Sequence, residues 1–154
     1  MRLLVDVMCG GLVSYLRMCN HDTVYAGDRG LEADDDLLAV ARDEDRTVVT
    51  RDVELAGRAE DAILLESREV ETGLAALAAA GVDLSLAAAP EFCGRCNGPL
   101  EGVASTASTP AYAPDPADRE VWRCRDCGQH FWRGSHWDRV ADTLSSARES
   151  QTER

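Results

Sequence analysis

The sequence predicts an α/β fold: a three-layer domain with a short parallel sheet, followed by a small zinc ribbon. Apolar runs of about four residues alternate with helix-type patterns in the first half, which is typical of a parallel sheet with helices on both faces. Two CxxC pairs follow, Cys93 with Cys96 and Cys124 with Cys127. Four thiolates at this spacing are the ligand set of a closed tetrahedral zinc site.

The elements of the first domain follow from apolar periodicity and from the residues that interrupt it. The predicted strands cover 3–5, 23–26, 47–50 and 62–65. The predicted helices cover 12–18, 34–45, 55–59 and 70–80, and Gly81 ends the last of them. Strand and helix thus alternate along the chain, as in a parallel sheet.

Three segments are predicted from the change in composition along the chain. The α/β domain covers 1–88, and the zinc ribbon covers 89–139, with 129–134 as its last strand. A polar tail, helical or disordered, covers 140–154.

The chain is acidic, with a net charge of −12 and arginine as its only basic residue apart from three histidines. Residues 1–90 carry 8 arginines against 18 acids, whereas 91–154 carry 8 against 10. This balance argues against a general nucleic-acid-binding surface. No apolar run reaches the roughly 20 residues of a membrane span, and the first residues do not resemble a signal peptide. We therefore expect a cytoplasmic protein with reduced thiols and no membrane partner.

The cysteine pairs are interpreted as a structural zinc site, and the alternatives are unligated thiols or an iron–sulfur centre. Trp122, Trp132 and Trp137 crowd the same segment. They are interpreted either as packing around the metal or as a stacking platform for bases. In the second interpretation, the bases would stack beside three neighbouring cations, Arg123, Arg125 and Arg133.

Acidic residues follow two of the predicted strands. Asp6 ends the first strand and Asp52 follows the third, with Glu54 close by, while Asp34 and Asp35 open a helix. Functional groups collect at the carboxyl ends of parallel strands, so we expect these carboxylates to converge. A cluster of carboxylates suits Mg²⁺ or Mn²⁺, which could activate water against a phosphodiester. The alternatives are helix capping by Asp34 or Asp52 and simple solvation of Asp35.

Several runs of residues resemble one known family. They are Asp6 to Leu12 with Tyr15 to Arg17, Asp34 to Leu38, Val49 to Leu55, Cys93 to Leu100, and Trp132 to Trp137. Together they resemble the PIN-like ribonuclease domain of the Mut-seven C-terminal type, which is followed by a zinc ribbon.

The resemblance implies a metal-dependent RNA endonuclease or exonuclease with Asp6, Asp34 and Asp52 as metal ligands. Asp35 and Glu54 are further matches to its catalytic acids. Gly11 stands where the family usually has a lysine, which leaves Arg17 and Arg51 as the nearby cations.

Two functions are therefore predicted. In the first, the acids bind Mg²⁺ or Mn²⁺ and hydrolyse RNA, while Arg17, Arg51 and Arg133 bind the substrate. In the second, the chain is a non-catalytic adaptor that binds RNA or a protein partner through its zinc ribbon.

Overall fold

The computed structural model describes residues 1–86 and 88–152, and it contains an α/β domain and a small antiparallel sheet. Residue 87, at the predicted domain boundary, and residues 153–154, at the end of the predicted tail, lie outside the described residues. The strands are β1 (Arg2–Val5), β2 (Asp22–Tyr25), β3 (Thr47–Thr50), β4 (Ala62–Leu64), β5 (Leu100–Gly102), β6 (Val121–Cys124) and β7 (His130–Trp132). The α-helices are α1 (Val13–Met18), α2 (Asp34–Asp43), α3 (Val53–Arg58), α4 (Val70–Ala79) and α5 (Ser135–Thr152). Two 3₁₀ helices cover Val7–Leu12 and Ala26–Arg29.

The first four strands form one parallel sheet in the order β2-β1-β3-β4. Val5 pairs with Tyr25 on one side and with Val49 on the other, so β1 is an inner strand. Because all four strands run the same way, their carboxyl ends lie at one edge of the sheet. Asp6 therefore leaves the sheet directly beside Thr50.

Apolar side chains cover both faces of this sheet, as the pattern of short apolar strands predicts. Along β1, Leu3 and Val5 enter one buried cluster and Leu4 enters the other. The first cluster is closed by α1, α4 and α5, and the second by α2 and α3. The domain thus has the three predicted layers, helices, sheet and helices.

The last helix differs from the predicted polar tail. It begins at Ser135 and packs along α4, with Val140, Leu144 and Ala147 buried in the first cluster. These three residues are spaced by four and three positions, so they form one narrow apolar stripe on an otherwise polar helix. The tail is thus helical, one of the two predicted forms, and residues 140–147 pack into the α/β core.

The second sheet is antiparallel, in the order β5-β6-β7, and it carries the two CxxC pairs. Polar contacts fix it to the first domain. The Asn97 side chain donates to Asp22 Oδ1 at 2.7 Å, and its oxygen accepts from the Thr23 amide at 2.9 Å. Asn20 accepts from the Glu91 amide at 3.0 Å. In the part of the chain that the structure describes, no helix is long and apolar enough to cross a membrane.

Candidate active site and metal cluster

Asp6 and Asp52, two of the predicted acids, lie at the carboxyl edge of the parallel sheet. A buried threonine between them contacts both residues. Thr50 is fully buried, and its hydroxyl donates to Asp6 Oδ2 at 2.8 Å. The same hydroxyl oxygen accepts from the Asp52 amide at 3.0 Å. Asp6 and Asp52, here called the strand-end acids, are thus held at the ends of neighbouring strands. Convergence of the two carboxylates stays a prediction, because Thr50 contacts Asp52 through its backbone amide.

Local backbone geometry fixes each of the strand-end acids. Asp6 precedes a 3₁₀ helix, and its Oδ1 accepts from the Val7 amide at 2.8 Å. Asp52 is the N-cap of α3, and its Oδ1 accepts from the amides of Glu54 and Leu55. The capping role considered for Asp52 is therefore real, and it uses one carboxylate oxygen. Asp52 is exposed.

The remaining predicted acids surround an arginine that the sequence did not suggest as part of the site. Asp34 and Asp35 lie in the first turn of α2, whose N-cap is Ala33. Arg58, at the end of α3, donates to Asp35 Oδ1. This hydrogen bond, with the nearby charges of Asp35, Asp34 and Glu54, raises the pKa of Arg58. Asp34, Asp35 and Glu54 thus form a second acidic group around Arg58. Asp35 and Arg58 also line a cavity of about 330 Å³ that extends to Thr47 and Asp61.

The donor set of these acids suits a hard cation, because it offers only carboxylate oxygens. The acids are nevertheless not gathered around a single point. Within residues 1–86 and 88–152, the four cysteines are the one group of three or more His, Cys, Asp or Glu whose ligand atoms all lie within 4.8 Å. Asp6, Asp34 and Asp52 therefore supply oxygens from separate positions along the edge.

Arg51 and Arg68 line a small cleft beside the strand-end acids, together with Cys9 and Gly11. Arg51 donates to the Met8 carbonyl at 3.2 Å. Its Nε is buried and, among the described residues, has no hydrogen-bond partner. Burial raises the pKa of the adjacent Cys9 thiol, although Arg51 opposes that change. The cleft next to Gly11 thus has two guanidinium groups and one carboxylate, that of Glu69.

Arg17, predicted to bind substrate, lies inside the protein. Its side chain is 3 % exposed, and it donates to the carbonyls of Thr23 at 2.9 Å and Gly94 at 3.1 Å. Burial lowers its pKa, and the charge of Asp28 opposes this effect. Arg17 therefore connects α1 and β2 to the first cysteine pair.

Arg133, the third predicted substrate contact, lies in the ribbon, far along the chain from the strand-end acids. It is exposed and donates to Glu120 at 2.8 Å. Its guanidinium also lies over the Trp122 ring, 5.6 Å from the centroid, in a cation–π contact.

The four cysteines form the predicted metal-binding cluster. The Sγ atoms of Cys93 and Cys127 are 3.7 Å apart, and those of Cys96 and Cys124 are 3.5 Å apart. Zn–S bonds of about 2.3 Å in a regular tetrahedron place sulfurs about 3.8 Å from one another. These distances are close to that value and far longer than the roughly 2.05 Å of a disulfide. The cluster can therefore hold one structural zinc ion.

Backbone amides point at the sulfurs, as in a site built for thiolates. The amide of Gly98 donates to Cys96, and the amides of Asp126 and Cys127 donate to Cys124, each at 3.4 Å. Burial disfavours the Cys124 thiolate, but these amides and the neighbouring thiols outweigh it and lower its pKa to about 7. Burial raises the pKa of Cys93 to about 12. A bound cation would favour the thiolate form of all four.

Three residues of the site were missed by sequence reasoning. Thr50 could have been found, since a polar residue closing a buried strand between two acids needs a partner. Arg58 carries no such signal, because its contact with Asp35 joins two different helices. Arg68 likewise reaches the cleft only through the folding of the segment before α4.

Comparison with known proteins agrees with the fold and with the cysteine cluster. No curated protein and no solved structure matches the chain. A family model does match: that of the Mut7-C RNAse domain, over residues 1–144. The match includes the parallel sheet, both cysteine pairs and most of α5, and it confirms the resemblance predicted from the motifs. The chain therefore belongs to the Mut7-C RNAse domain family, which implies a nuclease-like function with RNA as substrate.

Proposed function

We propose that this protein is a metal-dependent ribonuclease that hydrolyses RNA phosphodiester bonds at the strand-end acids. The observation that supports this most is the buried Thr50 hydroxyl, which joins Asp6 to Asp52 at the edge of the sheet. A buried hydroxyl with these two bonds is well placed to hold the Asp6 carboxylate and the Asp52 backbone in fixed positions. Family membership supports the reaction class, and these contacts support the choice of Asp6 and Asp52.

In this proposal Asp6, Asp34 and Asp52 hold one or two Mg²⁺ or Mn²⁺ ions. The ion would orient water and offset negative charge on the phosphodiester. Asp52 uses Oδ1 as a helix cap and turns its other oxygen to the ion. Each Asp6 oxygen accepts one hydrogen bond and keeps a second lone pair. Thr50 and the Val7 amide therefore orient Asp6 without using up its capacity as a ligand.

Asp35 and Glu54 supply further negative charge near the proposed ion. Arg58 offsets part of that charge through Asp35. Several carboxylates close together repel one another, and a divalent cation relieves this repulsion. The acidic group around Arg58 thus favours capture of a cation at this edge.

Phosphate contacts are assigned to Arg51, with Arg68 in the same cleft. The half-buried Arg51 precedes Asp52 directly, and its Nε is left without a partner among the described residues. Because that Nε is buried, a phosphate would pair with the terminal nitrogens of the guanidinium. Arg17 has its donors occupied within the protein, so the proposal does not use it for substrate.

The test compares Asp6→Asn with Asp61→Asn. Asp61 is a matched control, because its carboxylate also accepts a hydrogen bond from a threonine hydroxyl of β3. The donor is Thr47, at the opposite end of that strand, and the distance is 2.8 Å. We expect purified protein to cleave end-labelled single-stranded RNA when Mn²⁺ is added. Asp6→Asn should lower the rate on the order of 100-fold or more, as expected when a metal site is disrupted. Asp61→Asn should cleave like the wild type, and equal cleavage by all three proteins would contradict the proposal.

A non-catalytic RNA-binding adaptor is the second candidate function. It is favoured by the spacing of the acids, which do not form a compact ligand group in the described residues. It predicts that RNA binding survives Asp6→Asn and fails when Trp132 or Arg133 is replaced. Absence of cleavage with every divalent cation, together with intact binding, would favour this function over the first.

A further inference from the structure

The zinc ribbon and α1 enclose a cavity of about 380 Å³ that the proposed cleavage does not use. Its walls contain all three tryptophans and both phenylalanines of the chain: Phe92, Trp122, Phe131, Trp132 and Trp137. We call this space the aromatic cavity. Side chains that served only as ribbon core would fill the space between them, as protein interiors do. Here they surround a volume within the roughly 300–1,000 Å³ of small-molecule sites.

Resting on the proposed ribonuclease function, we propose that the aromatic cavity binds an unpaired nucleobase of a single-stranded RNA. Flat indole and phenyl rings are the surfaces on which bases stack, and every base has a π-face. Polar groups in the wall, including Ser14, Gln129 and His136, can meet the edge of a base. The ribbon would thus hold the strand whose backbone is cut at the strand-end acids.

Charge at the cavity favours a nucleotide over an apolar peptide. Arg95 lines the cavity and donates to the Gln129 side-chain oxygen at 3.2 Å. Across the described ranges, Arg95 has no carboxylate within 4.0 Å, whereas Arg125 and Arg133 are paired with acids. Among the residues that the structure describes, no acidic residue lines the aromatic cavity, so the charge of Arg95 is not offset within its wall. This charge complements the phosphate that adjoins a stacked base.

The cavity also adjoins the catalytic domain. Ser14 and Met18 of α1 form one wall. This helix has six residues, about 9 Å of length, and it follows the 3₁₀ helix that Asp6 begins. Arg17, on the same short helix, bonds to Gly94 of the first cysteine pair. α1 therefore forms part of the cavity wall and connects through the 3₁₀ helix to Asp6.

The experiment measures binding of two labelled strands to the zinc-loaded full-length protein with no Mg²⁺ or Mn²⁺ added. One strand is a short oligoadenylate, and the other is an abasic ribose-phosphate strand of equal length and charge. We expect the oligoadenylate to bind about tenfold more tightly or better, the effect of stacking one base. Equal affinities would overturn the proposal, whether or not the protein cleaves RNA.

Variants test whether the preference for the base-containing strand depends on the aromatic cavity. Trp137→Leu keeps apolar bulk but removes the aromatic face, so it should abolish the preference for bases, and Trp137→Phe should retain it. Tyr112 lies outside the cavity wall, but its ring centroid is 6.2 Å from that of Trp132, so Tyr112→Leu should lower the preference less than Trp137→Leu. One zinc per chain in each variant shows that the ribbon is intact. A preference unchanged in Trp137→Leu would contradict the proposal, and the wild-type comparison decides it if that variant loses zinc.

Cleavage is scored separately, so that the two proposals fail in different ways. A protein that prefers the base-containing strand but never cuts it supports the aromatic cavity and contradicts the ribonuclease proposal. A protein that cuts RNA but binds both strands equally supports the ribonuclease proposal and contradicts base binding in the aromatic cavity. Tight binding of an apolar peptide that oligoadenylate cannot displace would replace the nucleobase with a protein partner.

Discussion

Burial decides what each polar side chain at the carboxyl edge can do. Thr50 is completely buried, and a buried hydroxyl without partners would cost on the order of 1–3 kcal/mol. The Thr50 hydroxyl avoids this cost by donating to the Asp6 carboxylate and accepting from the Asp52 amide. The same two hydrogen bonds fix the position of both residues. Asp6, half-buried after an apolar strand, is held in turn. A single hydroxyl thus links folding to the geometry of the proposed site.

Replacing Thr50 with valine should separate its two roles. Thr50→Val keeps the shape but leaves Asp6 Oδ2 and the Asp52 amide without their partner. We expect a loss of roughly 1–3 kcal/mol in the free energy of unfolding and a drop of about 10- to 100-fold in RNA cleavage. Urea unfolding and the cleavage assay measure the two effects.

Thr47→Val is the control for that experiment. Thr47 is buried at the other end of the same strand, and its hydroxyl donates to Asp61. Its loss should cost similar stability and leave cleavage unchanged. If both valine variants lowered cleavage equally, the effect of Thr50 would be one of stability alone.

At the scale of elements, the sequence predicts most of the α/β domain. The strands at 47–50 and near 3–5, and the helix from 34, appear where apolar periodicity places them. Asp6 and Asp52 could be located as site residues because they follow predicted strands. Contacts between distant elements, such as Arg58 with Asp35 or Arg17 with Gly94, have no signature in local periodicity.

The last helix shows why its packing was not predicted. Most of its residues are polar, so its composition resembles a solvated tail. Its apolar stripe is only one residue wide and consists of Val140, Leu144 and Ala147. These residues stabilise the helix only when they pack against α4. Tertiary packing therefore decides the state of this element more than propensity does.

Leu144→Ala should destabilise the protein by about 2–5 kcal/mol, because Leu144 is 1 % exposed and a cavity would remain in the core between α4 and α5. Asp142→Ala, at an exposed position of the same helix, should change the free energy of unfolding by less than about 0.5 kcal/mol. Thermal and urea unfolding measure both. A Leu144→Ala protein as stable as the wild type would show that α5 does not belong to the core.

At the scale of the whole molecule, polar contacts unite the ribbon and the α/β domain. Asp22 is central to them, since it accepts from Asn97 in the ribbon and from Arg46 at 2.9 Å. Burial disfavours ionised Asp22, but the hydrogen bonds from Asn97 and Arg46 and the charges of Arg46 and Arg2 outweigh it. The pKa of Asp22 is therefore lowered. The joint between the two parts is thus strongest when this carboxylate is charged.

The lowered pKa of Asp22 makes the joint sensitive to acid. Because the folded-state pKa lies below the ordinary value of 3.8, ionised Asp22 contributes stability above that value. The contribution is lost as the pH falls through the folded-state pKa. At neutral pH, Asp22→Asn should be less stable than the wild type by about 1.5–3 kcal/mol, the size of hydrogen bonds to a charged group. This gap should hold down to about pH 4 and then close as wild-type Asp22 takes up its proton.

Urea unfolding of both proteins across that pH range measures the gap. Acid also releases zinc from thiolates, but this affects both proteins alike and cancels in the difference. Asp142→Asn, exposed on α5, serves as the control and should follow the wild type throughout. A gap that stayed constant into strong acid would mean that Asn in place of Asp22 acts through shape alone. The charge of Asp22 would then have no part in joining the ribbon to the α/β domain.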